Sequence, residues 1–215
     1  MVHVIAIDGP SAAGKGTIGK LVAEKFNFSY LDTGLIYRQF AYRVLLQKCD
    51  IEDPEAILKA VEKSCIDLSF SESEKLRSLE VSSVASKISV YPEVRSVATA
   101  LAHKFVSDRG PSWVVVDGRD IGTVVFPEAP LKFYITASAE VRARRRFEQL
   151  PSILRNSVAL GSMVEELSRR DERDKNRKHA PLLPANDATI VDTSNMDIQQ
   201  SLAKVVDVVE SCIKM

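Results

Sequence analysis

The chain is poor in the residues that mark special architectures. Three cysteines in 215 residues, Cys49, Cys65 and Cys212, are too few and too scattered for a disulfide framework. There is no C-x-x-C pair to begin a zinc site, and His3, His103 and His179 are dispersed, so no metal cluster is expected. The thiols read as small core residues in a reducing compartment. Nine glycines and nine prolines build no low-complexity tract and no repeat. No stretch approaches the roughly 18 apolar residues of a membrane span. The N-terminus has no basic region and no small-residue cleavage site, so we expect no signal peptide and a cytoplasmic protein. Neither charge sign is in excess, with 29 Lys+Arg against 29 Asp+Glu. A disordered chain would carry more net charge and fewer than the 45% hydrophobic residues present. A dedicated nucleic-acid binder would show a basic surplus.

What is present is alternation. Val2–Ile7 reads as a buried strand and residues 15–26 as a helix. Phe28–Leu31 is a second strand and 34–47 a second helix. Trp113–Val116, Leu131–Ile135 and Thr189–Val191 are further strands. Helices are expected over 139–150 and 197–213, the last with Ile198, Leu202, Val205, Val206, Val209 and Ile213 on one face. Strands alternating with helices imply parallel pairing and right-handed crossovers. The expected fold is therefore α/β, a parallel sheet of about five strands flanked by helices. Residues 50–90 are polar and Ser/Glu-rich and do not fit the core pattern. Residues 142–178 hold 11 Lys/Arg against 6 Asp/Glu, so the neutral total conceals a basic segment.

The first strand runs into Asp8-Gly9-Pro10-Ser11-Ala12-Ala13-Gly14-Lys15-Gly16-Thr17, and a helix follows. Gly9 and Gly14 let the backbone curl so that N–H groups face a phosphate chain. The helix start adds partial positive charge, and Lys15 reaches the terminal phosphates. This reads as a P-loop, with Gly9 to Thr17 the expected site of a nucleoside triphosphate. The strict pattern places Ser or Thr directly after the lysine. Here Gly16 intervenes and the hydroxyl comes at Thr17, the G-K-G-T form of nucleotide-phosphorylating kinases. A P-loop alone says nucleotide binding, since ATPases, switch GTPases and kinases all use it.

Further residues narrow the choice. Thr33 is placed to cap the second helix, and Arg38, one turn in, to fork onto a phosphate. Asp117 ends the third core strand, where parallel sheets bind ligands. It suits Mg²⁺ or its waters, and Thr17 and Asp117 are the candidate metal ligands. Arg95 sits in a helix opened by Pro92 and reads, taken alone, as a solvated charge. Arg142, Arg145 and Arg146 share one helical face, and Arg170, Asp174 and Arg177, joined by Arg173, share another. Two such faces beside a P-loop fit a lid that clamps transferring phosphates; the plainer reading is a solvated helix with ion pairs.

Five stretches together resemble bacterial cytidylate (CMP) kinases. They are Ile7 through Thr17, Leu31-Asp32-Thr33-Gly34 through Arg38, and Ala85-Ser86-Lys87 through Arg95. The others are Asp117-Gly118-Arg119-Asp120-Ile121-Gly122-Thr123 through Pro127, and Arg170-Asp171-Glu172-Arg173-Asp174-Lys175-Asn176-Arg177 through Leu182. The resemblance implies transfer of the γ-phosphoryl of ATP to CMP or dCMP, with Mg²⁺ as cofactor. It implies that Lys15, Arg119, Arg170 and Arg177 are catalytic. It assigns Thr33, Arg38, Arg119, Arg170 and Arg177 to the CMP phosphate, Asp174 to the ribose, and Ser86, Arg95 and Asp120 to cytosine. A carboxylate accepting from cytosine N4 and donors facing N3 and O2 would reject uracil, whose O4 and N3–H are reversed. Relative to the family, a small three-stranded insert before the Ser86 helix looks shortened by roughly a dozen residues, about one hairpin, and Thr33 replaces a common serine.

The resulting expectation is one domain. It has a core over about 1–49, 91–141 and 179–215, an acceptor-binding insert over about 50–90, and an arginine-rich lid over about 142–178. The expected partners are ATP and CMP or dCMP, with no nucleic acid and no membrane, and the expected state is a monomer. The alternatives are another P-loop kinase (UMP, AMP or shikimate acceptor) and a non-kinase nucleotide switch. The guanine-reading N-K-x-D run of such switches is absent. An RNA binder using the basic segment is disfavoured by the P-loop and the neutral total.

Overall fold

The computed structural model describes residues 2–62, 66, 74–110, 112–150, 155 and 159–213. Five strands form one sheet: β1 (His3–Asp8), β2 (Ser29–Asp32), β3 (Trp113–Asp117), β4 (Leu131–Thr136) and β5 (Thr189–Asp192), in the order β2-β3-β1-β4-β5. β1 pairs in parallel with β3, His3 opposite Trp113, and with β4, Ile5 opposite Leu131. β4 pairs in parallel with β5, Phe133 opposite Thr189. The sheet is as the alternating pattern predicts. Sequence-consecutive strands leave β1 toward opposite edges of this sheet. The crevice beyond the carboxyl end of β1, where such sheets take ligands, is thereby defined.

The chain divides into two compact units, His3–Tyr30 with Pro111–Met215, and Leu31–Gly110. In the first, α1 (Lys15–Phe26) and the C-terminal helix α8 (Ile198–Ile213) pack on each other and on the sheet. The core there joins Ile5, Ile7, Val115, Phe133 and Ile135 of the strands to Ile18 and Val22 of α1 and to Val205, Val206 and Val209 of α8. β1 and β3 are buried on both faces, which is why they read as continuous apolar runs. The expected apolar face of α8 is buried only at its middle; Ile198 and Ile213 are exposed. α6 (Ala139–Glu148) packs against α7 (Leu160–Lys175).

The second unit holds α2 (Thr33–Leu46), α3 (Pro54–Glu62), α4 (Leu79–Ile88) and α5 (Pro92–Ser107). Its core includes Ile36, Phe40, Val44, Ile57, Val61 and Ile88. Residues 50–90, read as lacking the core pattern, contain α3, α4 and a 3₁₀ turn over Glu74–Arg77. The reason is length: α3 buries Ile57, Ala60 and Val61, a single i, i+3, i+4 set too short to stand out. Side chains start both helices. Asp53 accepts from the N–H groups of Glu55 and Ala56 at 3.0 and 3.1 Å, and Ser78 accepts from Val81 at 3.2 Å. The expected shortening of the insert falls on the stretch that begins at Cys65, most of which lies outside the described residues. The cysteine expectation changes, because Cys49 and Cys212 are free thiols that are partly exposed; Cys65 lies outside the described residues. Among the described residues no helix is long and apolar enough to cross a membrane.

Phe133 is 1% exposed in the centre of the sheet core. Phe133→Ala is expected to cost about 3–5 kcal/mol, read as a lower urea midpoint with an unchanged slope.

Candidate active site

β1 ends at Asp8, and the chain then turns hard against β4. Gly9 has φ +143°, and a Cβ there would lie 1.9 Å from the carbonyl oxygen of Ile135, so only glycine fits. Gly14, at φ +97°, precedes α1 as its N-cap. Lys15 is 5% exposed and its ammonium donates to the carbonyl of Pro10 at 2.8 Å. Two other loop carbonyls are held from outside. Arg142 donates to Ser11 O at 3.3 Å, and the Thr193 hydroxyl lies 3.1 Å from Ala13 O. Arg145 donates to the hydroxyl and the carbonyl of Thr193, each at 2.8 Å. A trans peptide points its N–H opposite to its C=O. The amides of Ala12 and Gly14 therefore face away from these supports, as a phosphate cradle requires.

Arg142 and Arg145 were read on one face of a phosphate clamp. They are instead committed to the protein's own groups. Arg142 is buried, donates to Ala137 O at 2.9 Å and pairs with Asp171 of α7 at 2.5 Å. Sequence spacing placed them on a helical face; the tertiary fold supplied their partners.

Asp117 closes β3 and is buried. A Cβ on Gly16 would lie 3.4 Å from its Oδ2, so this carboxylate borders the loop directly behind Lys15. Thr17 lies exposed in the first turn of α1. Carboxylate and hydroxyl oxygens are the donors a hard divalent cation takes, and the set fits Mg²⁺.

Asp117 leads into Gly118-Arg119-Asp120 and a single π turn over Ile121–Val125, a form frequent at functional sites. Asp120 is buried, and its carbonyl accepts from Val124 and Val125 at 2.9 and 3.1 Å. Arg119 places Nε 3.4 Å from Asp174 Oδ2, and Arg170 places its own at 3.9 Å. Arg177 Nε donates to the backbone carbonyl of Asp174 at 3.3 Å. Two guanidinium groups thus approach one buried carboxylate, and a third binds the backbone of the same residue.

The remaining expected residues lie in the second unit. Thr33 is buried as the first residue of α2; it is not the cap, a position held by Asp32 without a side-chain cap bond. Arg38 lies 3.8 Å from Asp32 Oδ2. Ser86 is buried in α4. Arg95 is 7% exposed and donates to Ser89 O at 3.3 Å. It is not the solvated charge its helix alone suggests.

Two residues were missed. Asp8 accepts from the N–H groups of Ile121 and Gly122 at 2.7 and 2.8 Å. Burial pushes its carboxyl up from 3.8 to about 6, against the lowering effect of those two bonds. The signal was available, since Asp8, like Asp117, is an acid at the carboxyl end of a parallel strand. Tyr30 donates to Asp117 Oδ2 at 2.6 Å, a partner 87 positions away with no local signal.

A family model described as cytidylate kinase matches residues 5–211. The chain belongs to that family. It is 42% identical over 213 residues to a cytidylate kinase of Caulobacter sp. (strain K31), covering 98% of this chain and 95% of that one. It is 37% identical over 209 residues to one from Rickettsia rickettsii (strain Sheila Smith), covering 97% and 92%. Among solved structures, an uncharacterized protein from Eubacterium ventriosum ATCC 27560 superposes with a TM-score of 0.55 at 15% identity, covering 97% of this chain and 98% of that one. A shikimate kinase from Bacteroides thetaiotaomicron does so with 0.50 at 12%, covering 99% of both. At such identities the likeness speaks for the fold alone.

The Asp8 carboxyl binds its proton more tightly folded than unfolded. Its contribution to stability is full below about pH 4 and lost as pH rises through about 6. Wild type should therefore lose on the order of 2–3 kcal/mol relative to Asp8→Asn between pH 4 and pH 7. Urea unfolding of both proteins across that range checks the difference.

Proposed function

We infer that this chain transfers the γ-phosphoryl group of ATP to CMP, releasing CDP and ADP. The observation that carries the reading is the arginine cluster at Asp174 in the same unit as a buttressed P-loop. A nucleoside monophosphate carries about two negative charges near neutral pH, and guanidinium groups are suited to grip such an anion. The attacking oxygen belongs to that phosphate and is already anionic, so no strong protein base is required.

Gly9, Pro10, Ser11, Ala12, Ala13, Gly14, Lys15, Gly16 and Thr17 bind ATP in this reading. Lys15 neutralises charge on its terminal phosphates. Arg119, Arg170 and Arg177 grip the acceptor phosphate and hold it in line. Thr33 and Arg38 are assigned to the same phosphate, Asp174 to the ribose hydroxyls, and Ser86, Arg95 and Asp120 to cytosine. Burial supports the last three, because polar groups removed from water discriminate strongly between ligands that pair them and ligands that do not. Thr17 and Asp117 would hold Mg²⁺, directly or through water, and when bound it screens phosphate charge. Residues 50–90 are assigned to acceptor binding and 142–178 to a lid. We place dCMP beside CMP as acceptor, and the enzyme as a cytoplasmic monomer with no nucleic-acid partner, in keeping with its balanced charge.

ADP release from ATP and Mg²⁺ with CMP, dCMP, UMP, AMP or no acceptor tests the reading. Turnover is expected with CMP and dCMP. Asp120→Ala should lower kcat/KM for CMP by roughly 10–100-fold, the loss of one charge-assisted hydrogen bond. Equal turnover with UMP or AMP would overturn the cytosine assignment. Release independent of acceptor would overturn the kinase reading.

A further inference from the structure

We propose that Tyr30 is a positioning residue for the cation site, its phenolic hydroxyl holding the Asp117 carboxylate in place beside the phosphate loop. The inference rests on the reading of Asp117 as the carboxylate that holds Mg²⁺. Tyr30 ends the part of β2 that belongs to the first unit, and donates to Asp117 Oδ2 at 2.6 Å. That length is in the range of an O–H donor on an ionised carboxylate.

The first helix is shaped to admit this contact. Gly16 and Gly19 stand three positions apart, on one face of α1. A Cβ on Gly19 would lie 2.9 Å from Tyr30 Cε2, closer than side-chain carbons approach. A Cβ on Gly16 would lie 3.5 Å from the Tyr30 hydroxyl and 3.4 Å from Asp117 Oδ2. A glycine inside a helix is unfavourable relative to alanine, and here Gly19 clears the slot for the tyrosine ring, while Gly16 leaves its bond in ordinary contact with the helix.

This gives the departure from the strict loop pattern a physical consequence. Where that pattern puts a serine or threonine hydroxyl after the lysine, this chain has hydrogen at Gly16, and the hydroxyl touching Asp117 arrives from β2. One oxygen of the carboxylate is thereby fixed by Tyr30. The hydroxyl restricts how the carboxylate can turn beside the loop. Groups that orient a metal-binding side chain in this way commonly change metal affinity by 10–100-fold when removed.

The test uses the full chain in complex with a non-hydrolysable ATP analogue, with Mn²⁺ as probe in place of Mg²⁺. The dissociation constant of Mn²⁺ is read from loss of the free-ion spin-resonance signal, independently of turnover. Tyr30→Phe keeps the ring in its slot and removes only the hydroxyl. It should weaken Mn²⁺ binding about 10-fold. Asp117→Asn should weaken it as well, and the double variant should bind no more weakly than Asp117→Asn alone, since Tyr30 acts through Asp117. A purely structural tyrosine would lower the melting temperature without moving the Mn²⁺ constant. If Tyr30→Phe leaves that constant unchanged, or if the two substitutions multiply, the positioning role is wrong while Asp117 stands. If Asp117→Asn itself leaves Mn²⁺ affinity unchanged, the reading of Asp117 fails and this inference with it.

Discussion

Asp8 receives two backbone N–H groups, those of Ile121 and Gly122, on one buried carboxylate. Through these bonds the end of β1, from which the P-loop springs, is tied to the turn that carries Arg119 and Asp120. The contact is costly, because burial works against the charge. It joins the phosphate loop and that turn in one frame. Gly122 completes the joint, since a Cβ there would press on the Lys132 side chain at 3.1 Å. Lys132 in turn reaches Asp187 at 2.9 Å, fastening the loop ahead of β5.

A second frame supports the P-loop from the other side. Arg142 binds Ser11 O, Ala137 O and Asp171 at once. It connects the loop to the helix that bears Arg170 and Asp174. A buried ion pair of this kind contributes little net stability, but it fixes geometry. Phosphoryl transfer asks for little covalent chemistry and a great deal of placement. Much of the polar interior of this unit is accordingly spent on holding loops in position.

The strands, the P-loop and the order of elements were legible in the sequence because their signals are local. Continuous apolar runs mark β1 and β3, glycines mark the loop, and helical spacing marks α1 and α8. α3 was not read, though Asp53-Pro54-Glu55 carries a start signal, because one or two buried turns leave too short a period. Arg95 was misjudged taken alone, since burial is a property of what packs around a helix. The partners of Arg142 and Arg145 were not legible for the same reason.

By itself, then, the sequence determined the chemistry available: a phosphate loop, an acid at the end of a strand, and arginines spaced on a helix. It determined the family too, because long specific runs recur in order. Only the tertiary structure decided which charges meet. Asp8 with Ile121, Tyr30 with Asp117, Arg142 with Asp171 and Arg119 with Asp174 are pairs separated by 29 to 113 positions. Such distances carry no periodic signal. Spacing within one helix or strand is set by backbone geometry, whereas partners brought together by a parallel sheet depend on the crossovers between its strands, which no local pattern encodes.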